Sequence, residues 1–324
     1  MAGPLTRSDV ASSGGAFEGF ADADFRAYEQ KKWSSNAFTL ERRLAKDKLL
    51  ALARAVRELV GAEFADLELH ATDEKPSVAN GKKVEAQLAF FVRNAEGQQA
   101  IRALVNTTNL AGGASLFDIS LHHQHASLWF RLDLTGLTVA VEIASKAKVD
   151  RDNAVEKLRQ SWARERLGEL CRALPPGSRA GFGSAMVDVS EIKGDLVEAW
   201  LAAFQGDGGS FVAETKLPAA DSSLRSKDAI AQVHALLQAY VPIFRFLAWS
   251  RQNEHAHVKE TLKKSAEEQK KKALPFQAGD RVTILSGLFS GRGGYLAEID
   301  SKGRAKVMVG PVSVTVEVKD LKAG

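Results

Sequence analysis

The 324-residue sequence predicts an α+β protein: an N-terminal antiparallel sheet packed with helices, a charged helical linker and a small C-terminal β-barrel. Three observations point there. Apolar residues recur at helical spacing in some stretches and at alternate positions in others. Two alternating runs near residue 135 are joined by a turn short enough for a hairpin. A run of charge then separates the C-terminal part from the rest.

Residues 1–20 are rich in Gly, Ala and Ser and are expected to be disordered, which places the first domain at 21–250. From Thr39 to Val60, the residues Leu40, Leu44, Leu49, Leu52, Val56, Leu59 and Val60 define an amphipathic helix, with Gly61 as its stop. After a turn-rich stretch at 75–82, four strands are expected. Leu88, Phe90 and Val92 mark the first, with Phe91 breaking the alternation, and Leu116 to His122 the second. Leu128 to Leu134 and Leu137 to Ile143 are the third and fourth, joined by Thr135-Gly136. Together they suggest a four-stranded antiparallel sheet with one buried face.

Helices are expected to follow. Asn153 and Glu156 have the spacing of a capping box, opening one helix with Val155, Leu158, Trp162, Leu167, Leu170 and Leu174 on its apolar stripe. A short strand at 185–189, a helix from Ser190 through Trp200 to Phe204, and an apolar helix over 226–250 interrupted at Pro242 complete the domain. In 251–276, Glu260 with Lys264, Glu267 with Lys271 and Glu268 with Lys272 have the i,i+4 order of a solvated helix. Such a linker would span about 30 Å at roughly 1.5 Å per residue.

The net charge is +4, and its distribution is uneven. Seven Lys or Arg stand against four Glu in 251–276, and seven against five acidic residues in 277–324, so the rest is close to neutral. Attraction for polyanions is thus concentrated at the C-terminal end. No apolar run approaches the roughly 18 residues of a membrane span, and no secretory signal is present, so a soluble cytoplasmic protein with no membrane partner is expected. Cys171 is the one cysteine; it falls in a helical apolar pattern and reads as a core thiol.

The domain at 277–324 has its own logic. Val282, Ile284 and Leu285 begin a strand; Gly287 and Gly291 allow a tight turn; Gly294 admits close backbone approach. Asp300-Ser301-Lys302-Gly303 reads as a second turn. Ala305, Val307 and Val309, then Val312, Val314, Val316 and Val318, alternate strictly. Strands this short bury little as an open sheet, so closure is expected.

Gly279, Asp280, Gly287, Phe289 and Gly294 lie where the KOW motif has its Gly-Asp, its Gly-x-Phe turn and its glycine before the second strand. Residues 279–322 thus resemble the SH3-like barrel of NusG-type transcription factors and KOW ribosomal proteins. The resemblance implies a non-catalytic module that binds RNA, ribosomal proteins or RNA polymerase. It implies Phe289, Arg292, Tyr295, Lys302 and Arg304 as contact residues and Gly287, Gly291 and Gly294 as structural glycines, with Phe289 alternatively a plug of the barrel. Residues 1–250 show no NusG N-terminal domain.

His122, His123 and His125 form the other constellation. With Asp118 or Glu142 they could ligate a transition metal, since Asp118, Ser120 and His122 share one strand face; a hairpin turn with solvated histidines, or a partner-binding surface, uses the same residues. Glu142 and Lys146 lack the Glu-x-Lys spacing of metal-dependent nucleases. His255 and His257 beside Glu254 read as a charged linker end. Gly181-Phe182-Gly183 lacks the spacing and lysine of a phosphate loop. The expected function is therefore a non-enzymatic, cofactor-free adaptor or regulator that docks on RNA, the ribosome or RNA polymerase and engages other proteins through its N-terminal domain. The alternatives are a metal-dependent enzyme delivered by the barrel, or a protein-only interaction module.

Overall fold

The computed structural model describes residues 15–106, 121–206, 209–255, 276, 278–300 and 304–324, which divide into two compact units. In the larger, seven strands form one antiparallel sheet: β1 Leu67–Ala71, β2 Ala86–Arg93, β3 Ala126–Asp133, β4 Gly136–Ile143, β5 Arg179–Phe182, β6 Val187–Asp188 and β7 Phe211–Pro218. Their spatial order is β1-β2-β3-β4-β7-β5-β6.

The β3–β4 hairpin forms where alternation predicts it, in the register Leu128↔Val141, Phe130↔Val139 and Leu132↔Leu137. These residues face the main core with Phe91 of β2 and Ala213 of β7. The sheet is wider than the four strands expected, and its second face is also covered in part. Phe90, Val92, Trp129 and Ala140 form a small separate core with Leu121. Phe91 breaks the alternation because β2 buries side chains on both faces.

After the short helix α1 Asp22–Arg26, the main core is closed by α2 Thr39–Val60 and, beyond α3 Ala95–Asn106, by α8 Asp228–Leu247, the last continuing through Pro242 as one helix. By length and composition α8 could cross a membrane, a property the sequence reading missed; its apolar side chains Val233, Leu237, Ile243, Phe244 and Leu247 are spent on this core. On α2 the stripe differs from expectation. Leu40, Leu44 and Leu59 are 66%, 55% and 57% exposed, while Arg42 is fully buried. Its guanidinium donates to the carbonyls of Glu74 (2.7 Å), Lys32 (2.9 Å) and Ser35 (2.9 Å), so burial leaves no donor-rich group unsatisfied at those bonds. Two residues of the stretch expected to be disordered are packed. Phe17 and Phe20 are buried in the core, 5.1 Å apart edge to face, and Phe20 N–H bonds Leu224 O at 2.7 Å.

The expected single helix from Asn153 is two, α5 Lys148–Leu158 and α6 Ser161–Arg172, and Asn153 lies buried inside α5 and caps nothing. Cys171 is buried, with its thiol pushed up to about 12 by burial, as a core thiol requires. The helix expected from Ser190 is α7 Gly194–Gln205, preceded by a separate 3-10 turn at Val189–Glu191. Its last carbonyls lack intrahelical donors, and α5 supplies them: Arg151 donates to the carbonyls of Ala203 (3.0 Å), Phe204 (2.8 Å) and Gly206 (2.9 Å).

Asp150, one residue earlier, is wholly buried. Its Oδ2 accepts from Arg93 (3.0 Å) and Ala126 N–H (2.8 Å), and its Oδ1 from Arg93 and Trp249 N–H (2.8 Å). Arg93 also donates to Trp249 O (3.2 and 2.6 Å). Further along α5, Lys157 Nζ donates to Phe246 O (3.0 Å) and Asn253 Oδ1 (2.7 Å). The polar side of one helix thereby fastens the end of α8 to β2 and β3.

The smaller unit is a five-stranded antiparallel sheet: β8 Arg281–Ile284, β9 Gly293–Ile299, β10 Arg304–Val309, β11 Val312–Glu317 and β12 Leu321–Ala323, in the order β11-β10-β9-β8-β12. Val282, Ile284, Leu296, Ala305, Val307 and Leu321 are its core. Leu285, expected in the first strand, is exposed beyond it. Most of the expected linker helix, 256–275, lies outside the described residues.

Candidate nucleic-acid interface

Alternation decides which side chains the second unit presents. With Val282, Ile284, Leu296, Ala305 and Val307 turned inward, Arg281, Thr283, Tyr295, Lys306 and Met308 share the other parity and are not buried. Register puts three of them in one row across the sheet, Arg281↔Tyr295↔Met308. Tyr295 is 60% exposed and Met308 is exposed beside it. Lys306 stands two residues along β10, and Lys322 of β12 pairs with Thr283 in register. Among the described residues no ion pair involves Arg281, Lys306 or Lys322. Of the acidic residues on these strands, Glu298 lies opposite Lys306 and Glu317 pairs with Lys319 (2.7 Å).

The glycine pattern shapes the adjoining turn. Gly287 and Gly291 have φ of +79° and +78°, the left-handed region that glycine tolerates. Gly291 N–H closes the turn on Ile284 O at 2.7 Å. Gly294 is needed for another reason: a Cβ there would lie 2.5 Å from Met308 O and 2.7 Å from Val307 Cγ1.

Of the contact residues that the KOW resemblance implies, Tyr295 and Arg292 are exposed. Arg304 is exposed too but is engaged by Asp300, with Nε to Oδ2 at 2.9 Å. Phe289 is half-buried and packs against the core. Its neighbour Leu288 is the fully exposed apolar side chain of the turn. Lys302 lies outside the described residues. Sequence reasoning missed Arg281 and Met308, although strand parity with Tyr295 could have found both.

The histidines are placed differently from expectation. His122 belongs to a short helix, α4 Leu121–Gln124, so the strand-face argument joining it to Asp118 and Ser120 fails; Asp118 itself lies outside the described residues. His122 and His125 are buried, not solvated, and burial lowers each to about 4, with His123 adding repulsion at His122. At His125 the attraction of Asp150 is opposed by Arg93 and Arg102, and Nδ1 has no hydrogen-bond partner among the described residues. Glu142 accepts from Trp129 Nε1 (3.0 Å), and burial raises its pKa. His255 N–H is bound by Asn153 Oδ1 (3.0 Å), and His257 lies outside the described residues. Among the described residues, no three His, Cys, Asp or Glu come together to hold a metal ion.

No family model matches this chain, and no curated protein matches it.

Proposed function

We propose that this protein is a non-enzymatic adaptor or regulator whose second unit is a KOW-type, SH3-like barrel that docks on RNA within a transcription or translation assembly. The observation that carries the reading is the row Arg281–Tyr295–Met308, flanked by Lys306 and Lys322, on the solvent side of the sheet. Neighbouring strands lie about 4.8 Å apart, so the row sets an aromatic ring directly between a guanidinium and a thioether. A tyrosine ring stacks on a base without regard to its identity, at about 1–3 kcal/mol per base, and the flanking cations attract the phosphates. The glycine spacing supports the family reading, and the first unit is free to engage another protein.

The test is co-sedimentation with ribosomes and co-purification with RNA polymerase from cells expressing the full chain or the chain ending at residue 276. The shortened chain is expected to lose the association while its first unit keeps its circular dichroism spectrum. Undiminished association of the shortened chain defeats the proposal.

A further inference from the structure

The second face of the larger sheet carries a column of four rings. His70 stacks on Phe90 with centroids 5.7 Å apart and planes at 22°. Phe90 meets His122 at 4.9 Å, and His122 meets His123 at 3.9 Å. Phe90 and His122 are buried and His123 is exposed, so the column surfaces at His123. It surfaces at a cleft of about 480 Å³, within the range of small-molecule sites. Burial, together with the repulsion of Lys146, holds His123 below the usual imidazole range. At neutral pH the ring is therefore an uncharged π surface beside a cation.

The rest of the cleft is mixed, with charged groups at its rim. Lys83, Lys146, Asp73 and Glu85 line it, all exposed, and among the described residues none of the four enters an ion pair. Thr72, Ser77 and Asn80 add neutral polar groups, and Ala71, Val84, Ala86 and Leu88 supply the apolar part of the wall. Two ammonium groups alone would favour any anion, but two carboxylates would oppose a bare one. A ligand satisfies all of them when its anionic, hydroxylic and planar parts are separate. We propose that this cleft binds a ribonucleotide, with the base on the imidazole of His123, the phosphate on Lys83 and Lys146, and the ribose hydroxyls on the carboxylates. This site stands independently of the reading of the second unit.

The test is calorimetric titration of the full chain carrying Tyr295→Ala, which removes the ring of the other candidate surface. The probes are AMP, GMP, CMP, UMP and inorganic phosphate. At least one monophosphate is expected to bind one to one, tenfold or more tighter than phosphate. Adding Lys146→Glu should weaken it tenfold or more, and His123→Ala about fivefold or more, the loss of one stacking contact. His123→Phe, which keeps a ring, should retain it. Absence of binding for all four nucleotides at millimolar concentration overturns the proposal, as does phosphate binding equally well. Affinity unchanged in both folded variants, Lys146→Glu and His123→Ala, does the same.

Discussion

Arg93 and Asp150 form a two-pronged ion pair in the interior, and the remaining acceptor positions of the carboxylate take the N–H groups of Ala126 and Trp249. Breaking such a pair by removing one partner leaves an uncompensated buried charge. Asp150→Leu is therefore expected to cost about 3–5 kcal/mol. The double variant Arg93→Met, Asp150→Leu, which buries no charge, should cost less than the sum of its parts. Denaturant unfolding of the four proteins of this cycle measures both; strict additivity contradicts the account.

The buried histidines make the fold sensitive to mild acid. His122 and His125 are lowered from 6.5 to about 4, so between those values the unfolded chain binds protons that the folded chain excludes. Stability contributed by the neutral rings is present above pH 6.5 and is lost as pH falls toward 4, by up to about 3 kcal/mol per histidine. Asp150, whose carboxyl is held low chiefly by Arg93 against its burial, adds a loss at still lower pH. Urea midpoints recorded from pH 7 to 4 should fall, and His122→Gln with His125→Gln should flatten the curve. A wild-type midpoint constant over that range rules this out.

Gly294 carries the close approach of β9 to β10. Gly294→Ala would force Val307 and Met308 to move and should destabilise the smaller unit by about 2–3 kcal/mol, the upper part of the 1–3 kcal/mol typical of overpacking, because one close contact is with backbone. Gly287→Ala meets no neighbour and pays only for its left-handed backbone, about 1 kcal/mol. Thermal unfolding of the smaller unit, compared between the two variants, distinguishes them; equal effects would show that strand contact is not what the glycine serves.

How much of this was legible in the sequence depends on what each element buries. The β3–β4 hairpin was readable because Leu128, Phe130, Val139 and Val141 alternate along both strands and pair in register. Helix α5 was misread because half of its buried residues are polar: Asp150, Arg151, Asn153 and Lys157 are buried beside Val149, Ala154, Val155 and Leu158, and an apolar periodicity cannot register them. For the same reason Arg42 took an interior position on α2 while Leu40 and Leu44 stayed outside. Short strands such as β5, with Gly181 in its middle, give too little pattern to detect. At the candidate interface, Tyr295 was found through the glycine motif, but the row it joins is a property of register and needed the fold.

The central claim rests on that row, and binding of labelled single-stranded RNA by the full chain tests it most directly. Fluorescence anisotropy at increasing salt should show log affinity falling linearly with log salt, and Tyr295→Ala should weaken binding by about 1–3 kcal/mol without changing that slope. Arg281→Ala should make the slope shallower by about 0.7, the value for one phosphate contact on a single strand. Affinity and slope indifferent to both substitutions, in proteins that remain folded, would contradict the account.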